Sequence, residues 1–191
     1  MIPKLYKFRS INDRNVHAIT ESALWFNCPK AFNDPFESSF LVDTDNKKTS
    51  EQSLQLACFS KSYSHPLLWS RYADNYRGMC IEYDFSQFSK CTDLSFFEIN
   101  YCSNSYLNDS YNTKHISLAY EQEFRCGVAD NALINNKLLL NRECITAVIL
   151  SELAPADRAL KVVMACSELG IPVKKAICER QTYTFQIKEL D

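Results

Sequence analysis

The sequence predicts an α+β fold with a mixed β-sheet in which strands outnumber helices. Two observations carry this. Short apolar runs of strand length recur along the chain, at Leu54–Phe59, Met79–Tyr83 and residues 143–150. The clearest helix, opened by Pro155 and stopped by Gly170 and Pro172, is followed by two further strand-like runs. No internal repeat or low-complexity block divides the chain, so residues 1–191 read as a single domain.

Residues 4–9 form the first predicted strand, with Leu5 alternating against Lys4 and Lys7. Ile11-Asn12-Asp13 starts a short helix that places Val16, Ile19 and Ala23 on one face. Leu24-Trp25-Phe26 is the next strand, and Ala31-Phe32-Asn33-Asp34-Pro35-Phe36 a loop by its Asn-Asp-Pro content. The polar stretch 43–53 reads as an exposed connection before the strand at Leu54–Phe59. Ser64-His65-Pro66 opens a helix running to about Asn75, because proline suits the first helical turn. Gly78 closes it, and Met79–Tyr83 is a strand. The stretch 100–115, rich in Asn, Ser and Tyr, reads as mostly loop, and residues 116–128 contain a strand carrying Glu121-Gln122-Glu123. Strand 143–150, the helix through Leu169 and strands at about 173–178 and 182–187 complete the chain.

Composition excludes several classes. With 191 residues the chain is long enough for a sizeable core without staples. A net charge of −2 offers no footprint for general nucleic-acid binding. Only Gly78, Gly127 and Gly170 occur, so neither a P-loop nor a Gly-x-Gly-x-x-Gly fingerprint exists and a nucleotide must be held by side chains and ordinary backbone. The nine cysteines include no Cys-x-x-Cys pair, and no signal peptide is visible, which points to a cytoplasmic, reducing setting without disulfides. His17, His65 and His115 form no ligand spacing, so no metal is expected. Apolar stretches fall far short of a membrane span.

Three polar signals remain, in order. Arg9 ends the first strand, where its planar fork can meet a pyrophosphate or ribose, or pair with a surface carboxylate. Ser60 ends the Leu56-Ala57-Cys58-Phe59 run, where a serine either supports a ligand or caps a turn. Glu121 and Glu123, two apart, point to one face if both lie on a strand. Adjacent carboxylates repel and are costly unless solvated or functional. A carboxylate beneath a ribose stabilises an oxocarbenium-like transition state; the alternative is a solvent-facing acidic stripe on an edge strand. Arg125 continues that face and serves either reading by neutralising the pair. Trp69 and Tyr72, three apart on a helix, share a face for base stacking or for the core.

Several segments together resemble a bacterial domain of unknown function. The blocks are Leu5 to Arg9, Trp25-Phe26, Asn33 to Phe36, Cys58 to Ser60, Trp69 to Gly78 and Tyr120 to Arg125. Phe124 stands where those proteins carry Trp, and the 41–54 connection is shorter than theirs. More distantly, the order Arg9, Ser60, Glu123 is similar to the Arg–Ser–Glu arrangement of ADP-ribosyltransferases of the bacterial-toxin type, although Cys58-Phe59-Ser60 keeps only the last residue of the serine-threonine-serine those enzymes carry. That resemblance implies a split, mixed sheet with flanking helices, and NAD as the substrate cofactor. Arg9 would contact NAD phosphate or ribose, Ser60 would support the site, Glu123 would hold the nicotinamide ribose and Glu121 would help activate an unidentified acceptor. Tyr6, Asn33, Trp69, Tyr72 and Arg125 complete the candidate cofactor-binding set. The expected activity is an NAD-consuming transferase or glycohydrolase; the alternative is a non-catalytic nucleotide- or partner-binding regulatory module.

Overall fold

A computed structural model describes residues 4–32, 34, 54–88, 94–103 and 112–189. Asn33 and the polar connection at 43–53 lie outside the described residues. In chain order the elements are β1 (Leu5–Arg9), α1 (Asp13–Thr20), β2 (Ala23–Trp25), β3 (Leu54–Ser60), α2 (Pro66–Tyr72), β4 (Met79–Tyr83), β5 (Ser95–Glu98), β6 (Asn100–Cys102), β7 (Thr113–His115), β8 (Glu123–Ala129), β9 (Lys137–Leu139), β10 (Ile145–Ser151), α3 (Ala156–Glu168), β11 (Val173–Glu179) and β12 (Thr184–Glu189), joined in places by short 3-10 turns. The class is α+β, with a large mixed sheet and few helices.

The chain divides into two compact units, one from Met1–Ala23, Phe59–Lys90 and Leu139–Asp191, the other from Leu24–Cys58 and Cys91–Leu138. In the first, the strand order is β12-β11-β10-β4-β1. β10 and β11 are parallel, and the chain between them forms α3, the crossover that a parallel pair requires. The other pairs are antiparallel, with Leu5 opposite Tyr83 and Arg9 opposite Met79. β4 is buried along its whole length, which explains its unbroken apolar run. Tyr6 also faces Ser60, the last residue of β3.

Caps set the helix ends. Asn12 Oδ1 accepts from the Asn15 amide at 2.9 Å, and Ala18 and Ile19 bury the inner face of α1. Gly170 (φ 63°) ends α3 in the left-handed conformation, and Arg142 donates to the carbonyls of Leu169 and Gly170, both at 2.9 Å. The α2 helix is shorter than its sequence pattern. It stops at Tyr72, not near Asn75, because Asp74, Asn75 and Tyr76 all take positive φ, and the Trp69 carbonyl is satisfied by the amides of Ala73 and Tyr76.

In the second unit, β8 lies between the Leu54–Cys58 part of β3 and β5. β5 pairs antiparallel with β8, setting Phe97 opposite Arg125 and Glu98 opposite Phe124. Two expectations are corrected here. The stretch 100–115, read as mostly loop, contains β6 and β7 paired in parallel, with Tyr101 opposite Lys114. The strand expected within residues 116–128 is present but does not carry both glutamates: Ile116–Glu121 is a 3-10 helix, Gln122 is left-handed (φ 44°, ψ 47°), and β8 begins only at Glu123.

Candidate functional site

The most developed polar cluster is built around Lys114 in the second unit. The αL turn at Gln122 separates Glu121, the last residue of the 3-10 helix, from Glu123, the first of β8. The two glutamates therefore do not share a strand face, as their spacing suggested. They converge nonetheless, because one ammonium joins them: Lys114 Nζ lies 2.7 Å from Glu121 Oε2 and 2.6 Å from Glu123 Oε2. Arg125, two residues along β8 and on the same face as Glu123, donates from Nε to Glu123 Oε1 at 2.7 Å and from Nη2 to Oε2 at 3.3 Å. The Phe32 ring covers the guanidinium, its centroid 5.2 Å away.

All four charged residues are buried; Glu123 is 5% exposed and Lys114 7%. The solvent-facing acidic stripe is thereby excluded: this is a buried quartet of two anions and two cations. Burial alone would push the Glu123 carboxyl up, but the Arg125 and Lys114 charges, with hydrogen bonds from Arg125 and Cys58, hold it down at about 2. The Glu123 amide donates to the Tyr101 hydroxyl at 2.7 Å. Burial pushes that phenol up to about 12, the neighbouring carboxylates adding to the effect while the Glu123 amide and Lys114 oppose it. The cluster thus holds Glu123 as a carboxylate, bonded on both oxygens and favoured in its ionised form by two neighbouring cations.

Arg9, Tyr6, Ser60, Trp69 and Tyr72 belong to the first unit. The Ser60 hydroxyl accepts from the Ser62 amide at 3.1 Å, so it caps the turn after β3. Trp69 is fully buried, its ring edge-on to Phe8 and against Phe185, and its indole N–H donates to the Tyr63 carbonyl at 2.6 Å. That leaves it no free face for a base: of the two readings open from its spacing the core one holds, and Trp69 leaves the candidate cofactor-binding set. Tyr72 is half-buried beside the Arg71 guanidinium.

Tyr6 leads to a residue that sequence reasoning missed. Its hydroxyl donates to Glu82 Oε2 at 3.3 Å, while Glu82 Oε1 accepts from Lys4 at 2.9 Å and from Thr146 at 2.7 Å. Burial disfavours the Glu82 anion, yet the bonds from Lys4 and Thr146 and the charges of Lys4 and Lys174 hold it ionised, its carboxyl below the ordinary value. A signal for it existed: a lone carboxylate within Met79-Cys80-Ile81-Glu82-Tyr83 must be paired if that run is buried. Lys114 and Tyr101 carried no comparable signal, since both lie in a polar stretch whose pairing is between distant residues.

Among the described residues no group of three or more His, Cys, Asp and Glu is placed to hold a metal, and no helix is long and apolar enough to cross a membrane. No family model matches this sequence, and no curated protein or solved structure matches it either.

Proposed function

We propose that this chain is an NAD-consuming, ADP-ribosyltransferase-like protein, a transferase or NAD glycohydrolase that cleaves the nicotinamide glycosidic bond. One observation carries the reading: Glu123 is a buried carboxylate kept ionised and fixed in place at the start of β8. In such cleavage the ribosyl C–N bond breaks and its electron pair neutralises the pyridinium ring. The anomeric carbon is left cationic until an acceptor oxygen attacks and releases its proton. A fixed negative charge stabilises that developing cation without reorganising in the transition state. Glu123 would hold the nicotinamide ribose and Glu121 would help activate the acceptor.

The test is to incubate the protein with NAD and follow free nicotinamide, with Glu123→Gln alongside and its folding checked by circular dichroism. The variant should lose roughly 10²–10³ in rate. Equal release by a folded Glu123→Gln, or none from wild type, would overturn the reading. A second reading, a non-catalytic nucleotide- or partner-binding module, is favoured by a different observation. Lys114 and Arg125 engage both Glu123 oxygens and cancel the charge of the pair. NAD bound intact in calorimetry, with no nicotinamide released, supports that alternative.

A further inference from the structure

Lys114 is the one member of the quartet to which neither the sequence nor the proposed chemistry gives a role, although it touches both carboxylates. We propose that Lys114 is a positioning residue, whose ammonium clamps the Glu121 and Glu123 carboxylates together. The inference rests on the NAD-cleaving reading for its functional consequence, but the clamp itself can be measured without NAD.

The geometry is the argument. Glu121 and Glu123 leave the chain from different elements across a left-handed residue, and nothing in local periodicity obliges their carboxylates to meet. They meet on one nitrogen, at 2.7 and 2.6 Å. Without that nitrogen, Glu123 would keep the Arg125 guanidinium but face a second buried carboxylate with no ammonium joining the two, and a like charge nearby favours proton uptake by Glu123. The remaining groups around Glu123 do not replace it. Arg125 approaches from β8 itself, Tyr101 from β6 accepts the Glu123 amide, and Cys58 from β3 bonds its carboxylate. Glu98 of β5 stands opposite Phe124, so it lies on the other face of the sheet from Glu123 and Arg125. Among the described residues that act on Glu123, Lys114 is thus the cation besides Arg125, and β7 delivers it because Tyr101 and Lys114 are opposite each other in the parallel pair.

The experiment replaces Lys114 by Ala and supplies propylammonium, which restores the missing carbons and charge, or 1-propanol as its uncharged counterpart. Carboxyl carbon NMR reads the titration of Glu123, and nicotinamide release reads the acid limb of activity. In Lys114→Ala, proton uptake by Glu123 should move up by about 1–3 pH units. Propylammonium should return it, 1-propanol should not, and Lys114→Arg should titrate like wild type. The acid limb of nicotinamide release should follow the same pattern. If Lys114→Ala does not fold by itself, the comparison is read on folding: rescue by the ammonium alone supports the clamp, and rescue by both or by neither overturns it. A folded Lys114→Ala with unchanged Glu123 titration also overturns it. Absence of nicotinamide release from wild type would instead sink the NAD reading while the carboxyl titration still decides the role of Lys114.

Discussion

Arg125 reaches back along its own strand to Glu123, its Nε 2.7 Å from Oε1, so that an ion pair runs parallel to β8 and not across it. Both partners are buried, and the pair depends on the two residues sharing one face of the strand. Removing one partner of such a pair strands the other in a poorly solvated place. Arg125→Met should therefore cost about 3–5 kcal/mol. Urea unfolding is the measurement, with an unchanged m-value marking a loss of stability alone. Arg125→Lys keeps a charge but not the two-pronged contact, and should fall between wild type and Met.

The same carboxylate makes stability depend on acid. Glu123 ionises at about 2 in the folded chain against an ordinary 4.5. A group whose folded value is depressed contributes stability that is fully present above the unfolded value and lost as pH falls through the folded one. The loss should thus run from about pH 4.5 down to about pH 2 and amount to about 3 kcal/mol. Glu82, also held below its ordinary value, acts in the same direction. Glu123→Gln should flatten the acid limb of a plot of unfolding free energy against pH. An unchanged acid limb would show that Glu123 is not the group responsible.

How much of this was legible in the sequence depends on where the determining contact lies. β1, β4, β10, α3 and the last two strands were readable because apolar runs, Pro155 and Gly170 act within a few residues. The 3-10 helix before Glu123 was not, since Gln122 carries no mark of a left-handed residue as a glycine would. β6 and β7 were hidden for another reason: a polar stretch became paired strands only through partners lying on either side of a long connection. The candidate site was half visible. Glu121, Glu123 and Arg125 stood out by spacing, whereas Lys114, which joins the glutamates, depends wholly on that unforeseen pairing.

The turn between the glutamates allows a direct test of backbone geometry. Gln122 sits at φ 44° and ψ 47°, a conformation costing a residue with a side chain roughly 1–2 kcal/mol. Gln122→Gly relieves that strain but frees the unfolded chain, so thermal unfolding should register a neutral or slightly stabilising change. Gln122→Val adds a branched side chain where positive φ is least tolerated, and should lower stability by at least about 1 kcal/mol. If Val is tolerated as well as Gly, the left-handed turn does not govern how Glu121 and Glu123 converge.

Gly78 sets a comparable constraint beside Arg9. A Cβ at this position would overlap the Arg9 carbonyl oxygen and come within 2.8 Å of the Ala73 Cα and carbonyl carbon. Every one of these atoms is backbone, so no side chain can rotate aside. Gly78 is also anchored on its other side, its carbonyl accepting from the Ser151 amide at 3.2 Å. Gly78→Ala must therefore push apart the end of β1 and the turn that follows α2, at a cost of at least about 2–3 kcal/mol. Adding Ala73→Gly should restore little, because the obstructing atoms at residue 73 belong to the main chain. Urea unfolding of the single and double variants decides this. Recovery of wild-type stability by the double variant would show that the Ala73 side chain, and not the close backbone approach, is what requires glycine at 78.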